Sequence, residues 1–163
     1  MRERARQIVD RGLEAALVVT MGANVLNVLW QVFTRFVLGR PSSWTEELAR
    51  FLLIWLALLG AAYVAGRKMH LAIGAVVERL DARTRRRVEI VAHLAVGLFA
   101  AGVMGVGGLR LVWITFALEQ TSAALGIRLG YVYAVLPASG ALILFYSLGH
   151  VADAAAGRSE GEA

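Results

Sequence analysis

The side chains with most chemical potential in this chain are a few carboxylates and amides set into long apolar runs. Glu46, Glu47 and Arg50 stand three and four positions apart at the start of one such run. Side chains at those spacings share a helix face, so either carboxylate can reach the guanidinium. Ser43 and Glu46 have the spacing of a capping box, which marks a helix start, and Trp44 beside them suits a boundary between water and lipid. An arginine left alone in a bilayer costs about 2.5–3.5 kcal/mol on insertion scales, so pairing or snorkelling is expected. A capped, self-neutralised helix end is the expectation, with an ion pathway as the sharper alternative.

Thr20, Asn24, Asn27 and Gln31 recur at intervals of four, three and four, which places them on one face of a second helix. Lipid does not favour such a face. Amides in a bilayer act as interhelical hydrogen-bond glue worth roughly 1 kcal/mol each, so the stripe is expected to face protein; a solute path along it is the alternative. Two further seams consist of small residues, Ala57, Ala61 and Ala65 in one run and Gly97, Ala101 and Gly105 in another. Small residues four apart let helix backbones approach closely where no hydrophobic force draws them together.

His70, His93 and His150 fall near the ends of apolar runs. A pair such as His93 and His150 could ligate a haem between two helices, against the commoner role of histidine at a membrane boundary. The chain has no cysteine, which removes thiolate metal sites, disulfides and thiol catalysis. It has no Ser/His/Asp arrangement, no glycine-rich phosphate loop and no metal-spaced histidine cluster, so nothing in it argues for an enzyme.

The elements that must carry these residues follow from composition. Of 163 residues 58% are hydrophobic, with a mean hydropathy of +0.63, well above the share in a soluble domain. A hydrocarbon core about 30 Å thick needs roughly 20 apolar residues at 1.5 Å each. Four runs qualify, over about residues 13–38, 44–66, 88–118 and 129–149. The first is uncharged over residues 15–34, too long for the apolar region of a cleaved signal, and reads as a retained helix. Glycines 105, 107 and 108 just before Arg110 allow the third run either to bend or to continue as a tilted helix.

A net charge of +5 would suggest nucleic acid in a soluble protein, but the arginines lie between the apolar runs. Arg2, Arg4, Arg6 and Arg11 precede the first, and Arg67, Lys68, Arg79, Arg83, Arg85, Arg86 and Arg87 lie between the second and third. The two opposite connections hold only Arg40 and Arg128, with Arg35 at the edge of the first. Positively charged loops stay cytoplasmic, so both termini are expected inside. Within the basic connection 67–87, Ile73, Val76, Val77 and Leu80 fall at helical spacing opposite Glu78, Arg79, Asp81 and Arg83. This predicts a short amphipathic helix in the inner interface, its arginines near anionic lipid headgroups. The tails 1–12 and 150–163 carry no motif. The fold class is therefore an all-α membrane protein with four transmembrane helices in a single domain plus one interfacial helix, both ends cytoplasmic.

Laid out in order, Arg35, Trp44, Glu46, Glu47, Leu48, Arg50, Trp55, Gly60, Lys68 and His70, then Gln120, Thr121, Ser122, Gly126, Tyr131 and Pro137, resemble the small permease subunit of the tripartite ATP-independent periplasmic (TRAP) transporters. The resemblance runs from about Val28 to Tyr146. It implies a DctQ-like subunit in the bacterial inner membrane that works as a scaffold beside a much larger membrane subunit. Sodium and solute would sit in that partner, so no cofactor is expected here, and a periplasmic solute-binding protein would deliver a carboxylate-type solute. The motif residues, with Ser122 and Pro137 among them, would then serve subunit contact and structure rather than chemistry. A stand-alone homodimeric exporter and a membrane haem protein using His93 and His150 are the competing readings.

Overall fold

The computed structural model describes residues 2–40, 42–67 and 81–155. Pro41, Lys68, His70 and the amphipathic segment expected between Ile73 and Leu80 lie outside them.

The protein is all-α, and four of its helical stretches are long and apolar enough to cross a membrane, at Arg6–Phe36, Ser43–Gly66, Arg86–Ala117 and Leu129–Ala152. Helix α1, Arg2–Phe36, has 35 residues, about 50 Å at the helical rise and so longer than the hydrocarbon core. It ends in a left-handed turn: Gly39 takes φ +63° while Arg40 N donates to Thr34 O at 3.3 Å, a closure that glycine makes without strain. Helix α2 spans Ser43–Gly66.

The third span is one continuous rod. It runs as α3 over Ala82–Phe99, widens into a π-helical segment over Ala100–Gly107, and resumes as α4 over Gly108–Ala117. Its glycines cause no break: Phe99 and Gly108, flanking the wide segment, both keep right-handed helical angles. The fourth span is divided into α5, Leu129–Tyr133, and α6, Val135–Ala155. Pro137 supplies the reason, since its missing N–H and its ring disturb the carbonyls one turn earlier.

Side-chain pairings give the helix directions. Asn27 of α1 meets Thr45 of α2 and Glu14 meets Tyr63, so α1 and α2 are antiparallel. Trp55 meets Val132 and Gly66 meets Tyr146, so α2 and the fourth span run parallel. Both described chain ends therefore lie at one end of the bundle and the connection 118–128 at the other. The fourth span is central, packing against α2 on one side and against α3 and the π segment on the other, while α1 packs on α2. Two apolar clusters hold this arrangement. One joins Leu13, Leu59, Val135 and Tyr146, and the other joins Ala62, Ala100, Met104 and Ile143.

The seam Gly97, Ala101, Gly105 lies toward the fourth span: a Cβ on Gly97 would stand 3.4 Å from Ser147 Cβ. On α2 the tight approach instead uses Ala62 and Gly66, both buried, while Ala57 and Ala61 face outward. At Gly140 of α6 a Cβ would lie 2.8 Å from Met104 Cβ and 3.0 Å from Ala100 O, so α6 lies directly against the π segment.

Candidate functional site

The first turns of α2 and the connection 118–128 form one polar site at the end of the bundle opposite the chain ends. The helix begins one residue earlier than a Ser43–Glu46 capping box requires. Ser42 occupies the N-cap with no side-chain cap bond, which moves the third helical position from Glu46 to Thr45. The Thr45 hydroxyl, fully buried, donates back to Ser42 O at 2.7 Å, so no reciprocal box forms.

Released from capping, the two carboxylates take different partners. Glu46 lies 3.6 Å from the Arg50 guanidinium, with both side chains largely exposed. Glu47 turns the other way. Its Oε2 accepts from Ala124 N at 2.8 Å and Leu125 N at 3.1 Å, a pair of backbone donors far away in sequence. The hydroxyl of Ser122 also accepts from Leu125 N, at 3.1 Å. The connection closes on itself around that point: Ser122 N donates to Ile127 O, Gly126 N to Ser122 O and Leu129 N to Gln120 O, with Thr121 bridged to Arg128. Gly126 sits at φ +67°, in the left-handed region that glycine occupies freely. One anionic oxygen holding adjacent backbone amides is a nest-like clasp of the charge-assisted kind.

One turn deeper, Trp55 Nε1 donates to Val132 O at 3.1 Å, beside the interruption that Pro137 imposes. The indole thereby satisfies a carbonyl where the helix is broken. Pro137 itself packs on the third span, within 3.0 Å of the position a Gly108 Cβ would take. Trp44 stands exposed, Arg35 lies 5.9 Å from the Phe36 ring, and Gly60 faces Leu17. The stripe on α1 turns toward α2 as expected: Asn24 and Asn27 are buried, Thr20 and Gln31 half-buried, and Asn27 Nδ2 donates to Thr45 O at 2.7 Å. Thr34, also buried, extends the stripe by a turn.

A second constellation at the opposite end has no counterpart in the motifs. Arg6, Asp10 and Glu14 recur every fourth residue of α1. Arg6 donates to Gly66 O at 2.5 Å, Asp10 accepts from the Tyr146 hydroxyl at 2.5 Å, and Glu14 accepts from Tyr63 at 2.8 Å and pairs with Arg67. The Arg6 guanidinium lies over the Tyr146 ring and that of Arg67 over Tyr63. Their mutual spacing of four shows that the three share a helix face, but nothing local names the partners they meet.

His93 and His150 come together, but face to face, with ring centroids 4.8 Å apart and planes 21° from parallel. A haem held by two histidines needs their nitrogens aimed at an iron between them; stacked rings leave the porphyrin no room, and the haem reading is set aside. Among the described residues no three metal-ligating side chains gather. What the first site can do chemically is fix a loop: it binds backbone amides to a carboxylate and presents the exposed Glu46–Arg50 pair beside them.

Residues 24–157 match the family profile of the DctQ component of tripartite ATP-independent periplasmic transporters. The chain is 30% identical over 143 residues to the sialic acid TRAP transporter small permease protein SiaQ of Vibrio cholerae, covering 88% of this chain and 81% of that protein. It is 31% identical over 102 residues to the C4-dicarboxylate TRAP transporter small permease protein DctQ of Rhodobacter capsulatus, covering 63% of this chain and 44% of that one. It also matches 21% of the longer isethionate TRAP transporter permease protein DctMQ of Oleidesulfovibrio alaskensis, at 27% identity over 133 residues.

Proposed function

The chain belongs to the DctQ family of TRAP transporter components and is a multi-pass small permease subunit of the inner membrane, and from that premise we propose that it is the scaffold of a sodium-coupled importer. It supports a large transport subunit, which carries sodium and solute, and its loop end helps to seat a periplasmic binding protein that delivers a carboxylate-type solute. In this reading both termini lie in the cytoplasm, as the excess of arginine in the basic segments favours, and those arginines meet anionic lipid rather than nucleic acid.

The observation that carries this reading is the clasp of Glu47 on Ala124 and Leu125. It spends the most prominent carboxylate of the chain on holding a loop, as a docking surface requires, instead of leaving it for an ion. The outward face of α2 agrees. Glu46, Arg50, Ala57 and Ala61 recur at helical spacing there and are exposed, and an ion pair above small residues suits contact with another membrane chain better than contact with lipid. A segment like this chain also lies within one longer permease polypeptide in the isethionate system, which supports pairing with a larger membrane partner.

Substituting Arg50 by Ala tests the assignment. Transport and recovery of the large subunit on a tagged small subunit should fall together; full recovery of the complex with transport abolished contradicts the scaffold role.

A further inference from the structure

Arg110 stands exposed on the third span. Val106, one turn before it, and Trp113, one turn after, share its helix face and are 69% and 70% exposed. Among the described residues no carboxylate pairs with it. Glu46 is taken by Arg50 and Glu47 by the loop amides, and Glu119 comes after α4 has ended.

Contacts between helices fix its depth. Phe116 packs on Gly130 and His93 stacks on His150, so between those two contacts the third span passes residues 130–149 of the fourth. That stretch holds no charged residue and, at about 1.5 Å per residue, matches a hydrocarbon core about 30 Å thick. Arg110 comes six residues before Phe116, about 9 Å inside the core from the loop end. Arg50 lies at the boundary instead. Helix α2 runs parallel to the fourth span with Gly66 against Tyr146, and counting sixteen residues back along each sets Arg50 level with Gly130. A helical side chain leans toward the N-terminus of its helix. For Arg50 that is toward the nearer boundary; for Arg110 it is toward the middle of the membrane. Snorkelling to lipid headgroups therefore works with the helix at Arg50 and against it at Arg110.

We infer that Arg110 marks a contact with the large membrane subunit, where it meets the carboxylate of an aspartate or glutamate side chain inside the bilayer. The inference rests on the scaffold reading and adds a second face to the one on α2. A lone guanidinium at this depth is costly. A carboxylate neutralises it most fully, because the planar guanidinium binds both oxygens through parallel N–H···O bonds. Trp113 and Val106 supply the apolar surround that keeps such a pair free of water, and arginine and tryptophan are the residue types that most often anchor an interface.

The test uses the full-length chain co-expressed with the large TRAP membrane subunit of its own system. Replacing Arg110 by photoreactive p-benzoylphenylalanine should give an adduct with the large subunit, at a peptide of a membrane segment that carries Asp or Glu. Arg110→Leu should lower recovery of the complex about tenfold or more, since removing one member of a desolvated charge pair strands the other, and Arg110→Lys should restore part of it. The isolated chain should keep its melting temperature with Arg110→Leu, because its own fold gives the guanidinium no partner. Full recovery of the complex with Arg110→Leu, adducts confined to lipid, or a lower melting temperature of the isolated variant each overturns the inference and leaves the scaffold reading standing. If the unsubstituted chain binds no large subunit, the scaffold reading falls and takes the inference with it.

Discussion

Replacing Glu47 by Ala removes an anchor that two backbone amides share, and the loss is local. Hydrogen exchange at Ala124 and Leu125 should accelerate, while exchange in the interior of α2 stays as in the parent. Unchanged protection at both amides would mean that the connection holds itself through Ser122, Ile127 and Gly126. Trp55→Phe tests the next link. It leaves Val132 O without its indole donor beside the Pro137 interruption, and a lost hydrogen bond of this type lowers stability by about 0.5–1.5 kcal/mol, which thermal unfolding in detergent can measure. At this scale the sequence was readable only in part. The four-residue spacing did foretell the Glu46–Arg50 pair. The partner of Glu47, 77 positions downstream, could not be inferred from any spacing, because which loop returns to a helix start is decided by packing of the third and fourth spans. Nor did local sequence reveal that Ser42 rather than Ser43 is the N-cap, since two adjacent serines are chemically equal candidates.

Among the helices, the approach of α6 to the π segment makes two glycines respond oppositely. Gly140→Ala drives a Cβ onto Met104 Cβ and the backbone at Ala100 and Gly105, atoms that cannot swing aside, and overpacking of this kind costs about 1–3 kcal/mol. Gly102→Ala meets nothing within 4 Å and should be neutral or slightly stabilising, because alanine loses less backbone entropy than glycine. Comparable destabilisation of both by thermal melting would mean that α6 does not rest where the packing places it. The spans and the inward turn of Asn24 and Asn27 were legible from hydropathy and periodicity, signals that survive in any solvent. The π segment was not. A shift from the fourth to the fifth preceding carbonyl changes little in composition, and glycines at 102, 105 and 107 suit a bend, a straight helix and a wide turn alike. The same limit applied to the seam on α2, where Ala57 and Ala61 were as small as the Ala62 and Gly66 that pack.

Over the whole molecule the two polar constellations divide the work: the loop end arranges a surface and the chain end ties three helices together. Arg6 and Asp10 precede the residues matched by the family profile, which begin at 24, yet they reach α2 and α6. Deleting residues 2–11 should therefore lower the melting temperature even though no motif is lost; an unchanged melting curve would show that these bonds add nothing to the fold. Read without the structure, this segment offered only arginines suggesting orientation, because its partners Gly66 and Tyr146 lie far away in sequence. The most direct measurement of assembly is to co-express the chain, tagged, with the large TRAP membrane subunit of its own system and to recover the tag from detergent. A stable one-to-one complex, weakened by Arg50→Ala, is the predicted result. A folded chain recovered alone, self-associated and transporting solute when reconstituted without the partner, would contradict the scaffold account.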